Sequence, residues 1–288
     1  MDRYCNRGLL SVQGIRAVDR IGVAAAIKAV LETAQPSAKI MATRKLARDW
    51  RAAKLSHEFV IQMPDRPARP EHPILLLPNK MPKRKRGGSP AMRIAMLHAF
   101  AHIEFVAIDL ALDMAGRFGA GMPRQFITDW LGVAADEAMH FALLDRRLRQ
   151  LDSHYGALPA HDGLWEAAHE TRHDRLARLA VVPMVLEARG LDVSPATIAR
   201  FQAAGDPQSA AILNRIYTDE IRHVGVGSAW FAKLCDSARL SPEKTWQALV
   251  RKHFRGSLKP PFNDSARESA GLPREYYTAI ALTSVSMQ

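Results

Sequence analysis

Apolar residues return every three to four positions over most of this chain, the period of helices packed on one side. Residues 18–33 place Ile21, Ala24, Ala25, Ile27, Val30 and Leu31 at that spacing, and Gln35-Pro36-Ser37 interrupts it. Residues 38–55 repeat the pattern with Ile40, Met41, Leu46 and Trp50 among many cations, which predicts a helical hairpin. A longer helix is expected over 91–115, ended by Gly116, Gly119 and Gly121. Pro123 suits the first turn of the next, reaching residue 151. Asp162 is a candidate N-cap for a third helix, kinked at Pro183 and stopped at Gly190. Ser194-Pro195 opens a short offset continuation to residue 204, and Asp206-Pro207 a fourth helix to residue 234. Ser241-Pro242 starts a fifth, to residue 254, and residues 256–288 read as an irregular tail. No stretch shows strand alternation, so the expected class is all-α.

Residues 63–90 break the pattern with Pro64, Pro67, Pro70, Pro73, Pro78, Pro82 and Pro90. Proline at this density removes backbone donors and predicts an extended connector. Ile74-Leu75-Leu76-Leu77 is too apolar to be left in water, so the connector is expected to lie along the surface with that run covered. The expected organisation is an N-terminal helical region at 1–62, the connector at 63–90, a four-helix bundle at 91–236, and a C-terminal helix and tail at 237–288 packed on it.

Two helical faces carry a repeated polar interruption: Asp136-Glu137-x-x-His140 and Asp219-Glu220-x-x-His223. Glu and His three apart share one helix face and can grip one ion. Glu104 lies 33 residues before Glu137, and Glu187 lies 33 before Glu220, so the two halves repeat at an offset of 83. Glu…Glu-x-x-His twice is the ligand set of a di-metal carboxylate bundle. Neighbouring antiparallel helices bring mid-helix glutamates to one height, and four buried carboxylates repel without cations. One imidazole per ion with carboxylate oxygens suits iron or manganese. Asp136 and Asp219 can orient the histidines from behind, either crosswise (Asp136 with His223, Asp219 with His140) or within each motif.

The composition narrows the chemistry further. Only Cys5 and Cys235 are present among 288 residues, which excludes a disulfide framework or a thiolate metal site. The apolar run at 179–186 is far short of the ~20 residues of a membrane span, and the first residues lack a signal-peptide core, so a cytoplasmic, non-membrane protein is expected. A net charge of +11 favours anionic partners. It is densest at Lys80, Lys83, Arg84, Lys85 and Arg86, which can contact phosphates or form a solvated loop.

Several other polar residues compete for attention. His169-Glu170-Thr171-Arg172-His173 matches the zinc-protease signature. His173 is 14 residues from Glu187, about 21 Å along a continuous helix, and no third ligand follows, so a charged helix face is the better reading. His98 and His102 point away from the Glu104 face and suit surface or capping roles. Tyr217, one turn before Glu220, suits a packed phenol, with a substrate-facing role as the alternative.

With these residues in view, the chain resembles the ferritin-like superfamily of di-iron carboxylate proteins. More narrowly, it resembles the bacterial family DUF455. The resemblance rests on the Met81-Pro82-Lys83-Arg84-Lys85 run, Ala101-His102-Ile103-Glu104, both Asp-Glu-x-x-His motifs, the stretch from Val182 to Asp192, and the tail from His253 to Asn263. It implies a ferritin-like bundle holding two metal ions, iron–iron ahead of manganese–iron. It also implies O2 and an electron donor as partners, in a monomer or homodimer. An O2-activating oxidase or hydroxylase of an organic substrate follows. A related ferritin-like branch hydroxylates a modified tRNA nucleoside, which adds RNA to small molecules as a substrate class. The alternatives are metal storage without turnover and a helical nucleic-acid-binding adaptor.

Overall fold

The computed structural model describes residues 20–82 and 89–285, and among these it is helical with no named strand. Helices α1 (Val23–Leu31) and α2 (Pro36–Arg51) form the first hairpin. Gln35 caps α2 by accepting from the Ala38 amide at 2.7 Å. Helix α3 (Pro90–Phe118) is capped by Ser89 and followed by α4 (Arg124–Gln150). Helices α5 (Gly163–Glu170) and α6 (Arg175–Val181) lead into a π-helical segment, Val182–Glu187. Then come α7 (Ala188–Ala203), α8 (Pro207–Ser237) and α9 (Pro242–His253). Two further helices, α10 (Asp264–Ser269) and α11 (Arg274–Val285), complete the described chain.

Short connections make α3/α4 and α7/α8 antiparallel pairs, and the two pairs meet where α4 packs on α8. α1 rests on α3 and α2 on α4, while α9 covers α6 and α8. Phe105, Phe126, Trp130, Phe141, Phe231 and Trp246 are buried in the resulting core. Helix α3 is apolar enough over 18 residues, at mean hydropathy 1.6, to meet a membrane-span criterion, but 67% of that window is buried inside the protein.

Buried aspartates tie the accessory segments to these pairs. Lys39 of α2 lies 2.6 Å from Asp109 of α3, with both side chains fully buried, and Arg69 of the connector pairs with the same carboxylate. Arg178 of α6 lies 2.6 Å from Asp113 of α3. Arg267 of α10 grips Asp192 of α7 at 2.7 and 2.8 Å. Removing one partner of such a pair costs about 3–5 kcal/mol, because the other charge stays buried.

The third helix departs from the sequence expectation. It is broken at residues 171–174 rather than continuous to Gly190. Arg178 supplies the reason: it donates to the Ala168 carbonyl at 2.5 Å and to Thr171 Oγ1 at 3.0 Å, serving groups at the end of α5. Gly190 does not stop the chain either, because α7 runs through both Gly190 and Pro195. Pro195 lacks the N–H that would bond the Leu191 carbonyl, and Asn263 Nδ2 takes that carbonyl at 3.1 Å instead. Asp162 stands at the N-cap position of α5 but makes no side-chain cap, and its carboxylate pairs with Arg66.

The tail and connector also differ from expectation. The tail is not irregular throughout, since it carries α10 and α11, the first capped by Asn263 accepting from the Ala266 amide. In the connector, Ile74 and Leu77 remain 58% and 64% exposed. Backbone pairing rather than side-chain burial anchors this run, with Leu76 N donating to Ala160 O at 2.8 Å and Ala160 N to Ile74 O at 3.0 Å.

Gly227 of α8 lets the π segment approach, since a Cβ there would stand 2.5 Å from Pro183 Cβ and Cγ. Gly227→Ala should therefore destabilise the metal-free protein by about 1–3 kcal/mol in denaturant unfolding. An unchanged midpoint would mean that Pro183 can retreat at no cost.

Candidate metal centre

Six polar side chains converge between the helix pairs. Glu104 comes from α3, Glu137 and His140 from α4, and Glu220 and His223 from α8. Glu187 is the last residue of the π segment, a rare geometry that is frequent at functional sites. One ligand atom from each of Glu104, Glu137, His140 and Glu220 lies within 4.8 Å of the others, so this buried group can hold a metal ion.

Glu137 is the centre of the arrangement. Its Oε2 lies 3.1 Å from His140 Nδ1, and its Oε1 lies 2.9 Å from His223 Nδ1. His140 Nδ1 is also 3.2 Å from Glu104 Oε2, and His223 Nδ1 is 3.4 Å from Glu220 Oε1. Both rings are fully buried, with centroids 5.7 Å apart. Their outer nitrogens turn to the aspartate of the other motif: His140 Nε2 to Asp219 Oδ2 at 3.0 Å, His223 Nε2 to Asp136 Oδ2 at 3.5 Å. Asp136 is in turn paired with Arg222, and Asp219 with Arg215.

The electrostatics follow from this crowding. Burial drives the Glu104 carboxyl well above its usual range, reinforced by the charge of Glu137. Burial likewise raises Glu187, with Glu220 and Glu137 adding to it, and raises Glu220 beside Glu137. Glu137 goes the other way: burial opposes its ionisation, but the charge of His223 and the hydrogen bond of His140 overcome it and lower its pKa. Burial disfavours the charged His140 ring, yet hydrogen bonds with Glu104 and Glu137 lift it to about 11. His223 is likewise raised against its burial by the charges of Glu137 and Glu220.

The donor set is still incomplete. Glu137 Oε1, Glu187 Oε2 and His223 Nδ1 are buried without a hydrogen-bond partner, although Glu137 Oε1 and His223 Nδ1 face each other as an ion pair at 2.9 Å. An imidazole that donates Nε2–H outward to an aspartate presents a lone pair at Nδ1 to carboxylate lone pairs. A second proton or a cation reconciles them.

A family model described as "Protein of unknown function (DUF455)" matches residues 32–278. The chain belongs to the DUF455 family. An "Uncharacterized protein" of Haemophilus influenzae is 37% identical over 260 residues, covering 85% of this chain and 88% of its own. No solved structure matches.

Elsewhere in this DUF455 chain, His98, His102 and Tyr217 make contacts of their own. His169 and Glu170 close α5, His173 falls in the turn beyond it, and Glu170 pairs with Arg255, so the protease-like spacing spans no continuous helix. His98 and His102 are buried, not at the surface. His98 Nε2 accepts from the Gly156 amide at 2.9 Å, while His102 contacts Tyr155 Oη at 2.9 Å and the His161 carbonyl at 3.1 Å. Tyr217 accepts from Asn263 Nδ2 at 3.0 Å and packs against the core. Lys80 is exposed at the end of a single 3-10 turn; Lys83, Arg84, Lys85 and Arg86 lie outside the described residues. Sequence reasoning missed Arg215 and Arg222. Arg215 stands four residues before Asp219, a spacing that signals a helix ion pair, whereas Arg222 gives no local signal for a partner on another helix.

The histidine shift predicts a pH dependence. His140 keeps its proton in the folded metal-free protein up to about 11, while the unfolded chain releases it near 6.5. Its contribution is therefore full below pH 6.5 and is lost as pH rises towards 11. Unfolding free energy should fall through this window, with H140Q showing a shallower fall. A pH-independent wild type would contradict the ion-paired arrangement.

Proposed function

We propose that this DUF455 protein is a ferritin-like four-helix-bundle protein that binds two metal ions, iron–iron or manganese–iron, and uses O2 and an electron donor to oxidise an organic substrate. One observation carries the reading: Glu137 Oε1, Glu187 Oε2 and His223 Nδ1 are buried without a hydrogen-bond partner among the other acidic and imidazole groups. Leaving a buried acceptor unsatisfied costs about 1–3 kcal/mol. Two carboxylate oxygens and an imidazole nitrogen left in this way, in or beside the group whose ligand atoms lie within 4.8 Å of one another, support a shell shaped for cations.

The residues divide by position. His140 stands against Glu104 and Glu137, His223 stands against Glu137 and Glu220, and Glu137 presents one oxygen to each histidine. Oxygen donors with one imidazole per ion fit iron and manganese better than zinc. Asp219 and Asp136 accept from the outer ring nitrogens and hold each Nδ1 inward. Bound iron, alone or with manganese, supplies the O2 and redox chemistry that none of these side chains has. The chain's own part would be to hold the ions through Glu104, Glu137, His140, Glu187, Glu220 and His223, and to keep the site enclosed.

The test begins with metal analysis of protein purified without oxygen. About two ions per chain are expected, with most lost in Glu137→Ala and Glu220→Ala. Metal-free wild type, or unchanged content in both variants, would overturn the site. Sustained O2 consumption by the ferrous protein under continuous reductant supports an oxidase. A single stoichiometric burst would instead identify a store.

A further inference from the structure

We propose that Arg215 and Arg222 are positioning residues of this metal site, acting on the two ligand histidines through Asp219 and Asp136; the inference rests on the metal-binding reading above. Two arms lead out from the buried rings. In the first, Asp219 Oδ2 accepts from His140 Nε2 at 3.0 Å and from Arg215 Nε at 2.6 Å. In the second, Asp136 Oδ2 accepts from His223 Nε2 at 3.5 Å and from Arg222 Nη2. In each arm, one carboxylate oxygen serves both the ring and the guanidinium.

Exposure rises along both arms. The rings are fully buried, the Asp219 and Asp136 side chains are 17% and 32% exposed, and Arg215 and Arg222 are 58% and 49% exposed. An aspartate that reaches water has a free rotor and competing water donors. A guanidinium nitrogen on its Oδ2 restricts that freedom, because a charge-assisted hydrogen bond holds the oxygen that also faces the ring. An ionised carboxylate only accepts. Once it is fixed, the ring must donate Nε2–H outward and leave Nδ1 facing the glutamates.

The arms also bind the two helix pairs to each other. Asp219 of α8 serves His140 of α4, and Asp136 of α4 is gripped by the adjacent Arg222 and His223 of α8. Exposed ion pairs of this kind contribute little to global stability. Their consequence is local, in the direction each imidazole faces.

This separates positioning from structure experimentally. Cobalt(II) titration of the full-length protein, read by its visible absorption bands and by chelator competition, uses a metal with the same donor preferences. R215Q and R222Q should each bind cobalt about 10-fold or more weakly, with shifted bands. R215K and R222K should recover most of the affinity, and the metal-free variants should melt at the wild-type temperature. Wild-type affinity and spectrum in both glutamine variants would overturn the proposal while leaving the metal site intact. So would a loss shared by the lysine variants and matched by a lower metal-free melting temperature. No cobalt binding by the wild type would overturn the metal-binding reading and this proposal together.

Discussion

Glu137 is 1% exposed and stands between two fully buried histidines. Around it lie Glu104, Glu187 and Glu220, each driven toward its protonated form by burial and by its neighbours' charge. A carboxylate cluster of this kind is unfavourable in a helical interior unless positive charge sits within it. In the metal-free protein that charge is carried by the imidazoles; in the proposed loaded form it is carried by the ions. Glu104, Glu137 and His140 come from α3 and α4, while Glu187, Glu220 and His223 come from the π segment and α8. Neither helix pair holds a complete set, so the packing of α4 on α8 and the assembly of the site are one event.

The rest of the chain keeps those helices from adjusting away from one another. Three aspartates on the main helices are each held by a cation from an outlying segment. Asp109 is held from α2 and the connector, Asp113 from α6, and Asp192 from α10. Asp109 and Asp113 sit on the same helix as Glu104, five and nine residues beyond it. Buried pairs are expensive to form and more expensive to break, so they specify where a segment docks more than they add stability. The N-terminal hairpin, the connector and the tail thereby fix α3 and α7 from outside.

What could be read from the sequence was what depends on local geometry. Glu-x-x-His on a helix is a three-residue relation, and its repetition with an upstream glutamate at equal distance marked six residues, of which Glu104, Glu137, His140 and Glu220 bring one ligand atom each within 4.8 Å of one another. The helix pairs were visible through their caps and prolines for the same reason. What failed depends on partners distant in sequence. α7 passes Pro195 because Asn263, 72 residues beyond Leu191, takes the freed carbonyl. The break after α5 depends on Arg178 reaching back, and α10 was hidden by the prolines before it. Ile74 and Leu77 were misjudged because apolarity alone argued for burial, whereas backbone pairing to Ala160 holds that run.

Glu187 is where these two kinds of information meet. Its spacing from Glu220 repeats that of Glu104 from Glu137, yet it is carried by a π segment rather than a regular helix. A π turn widens the helix and redirects the side chain at its end. Here that segment is seated by Pro183 against the missing side chain of Gly227. The Ala180 carbonyl, in the turn before Pro183, receives Trp246 Nε1 at 3.2 Å. Glu187 is also only partly buried, while its Oε2 is enclosed and lacks a partner. The other five residues are held by regular helices and reciprocal contacts. Glu187 is therefore the carboxylate with most room to change its orientation, and its side of the site is where the four-carboxylate symmetry of the sequence gives way to asymmetry in the structure.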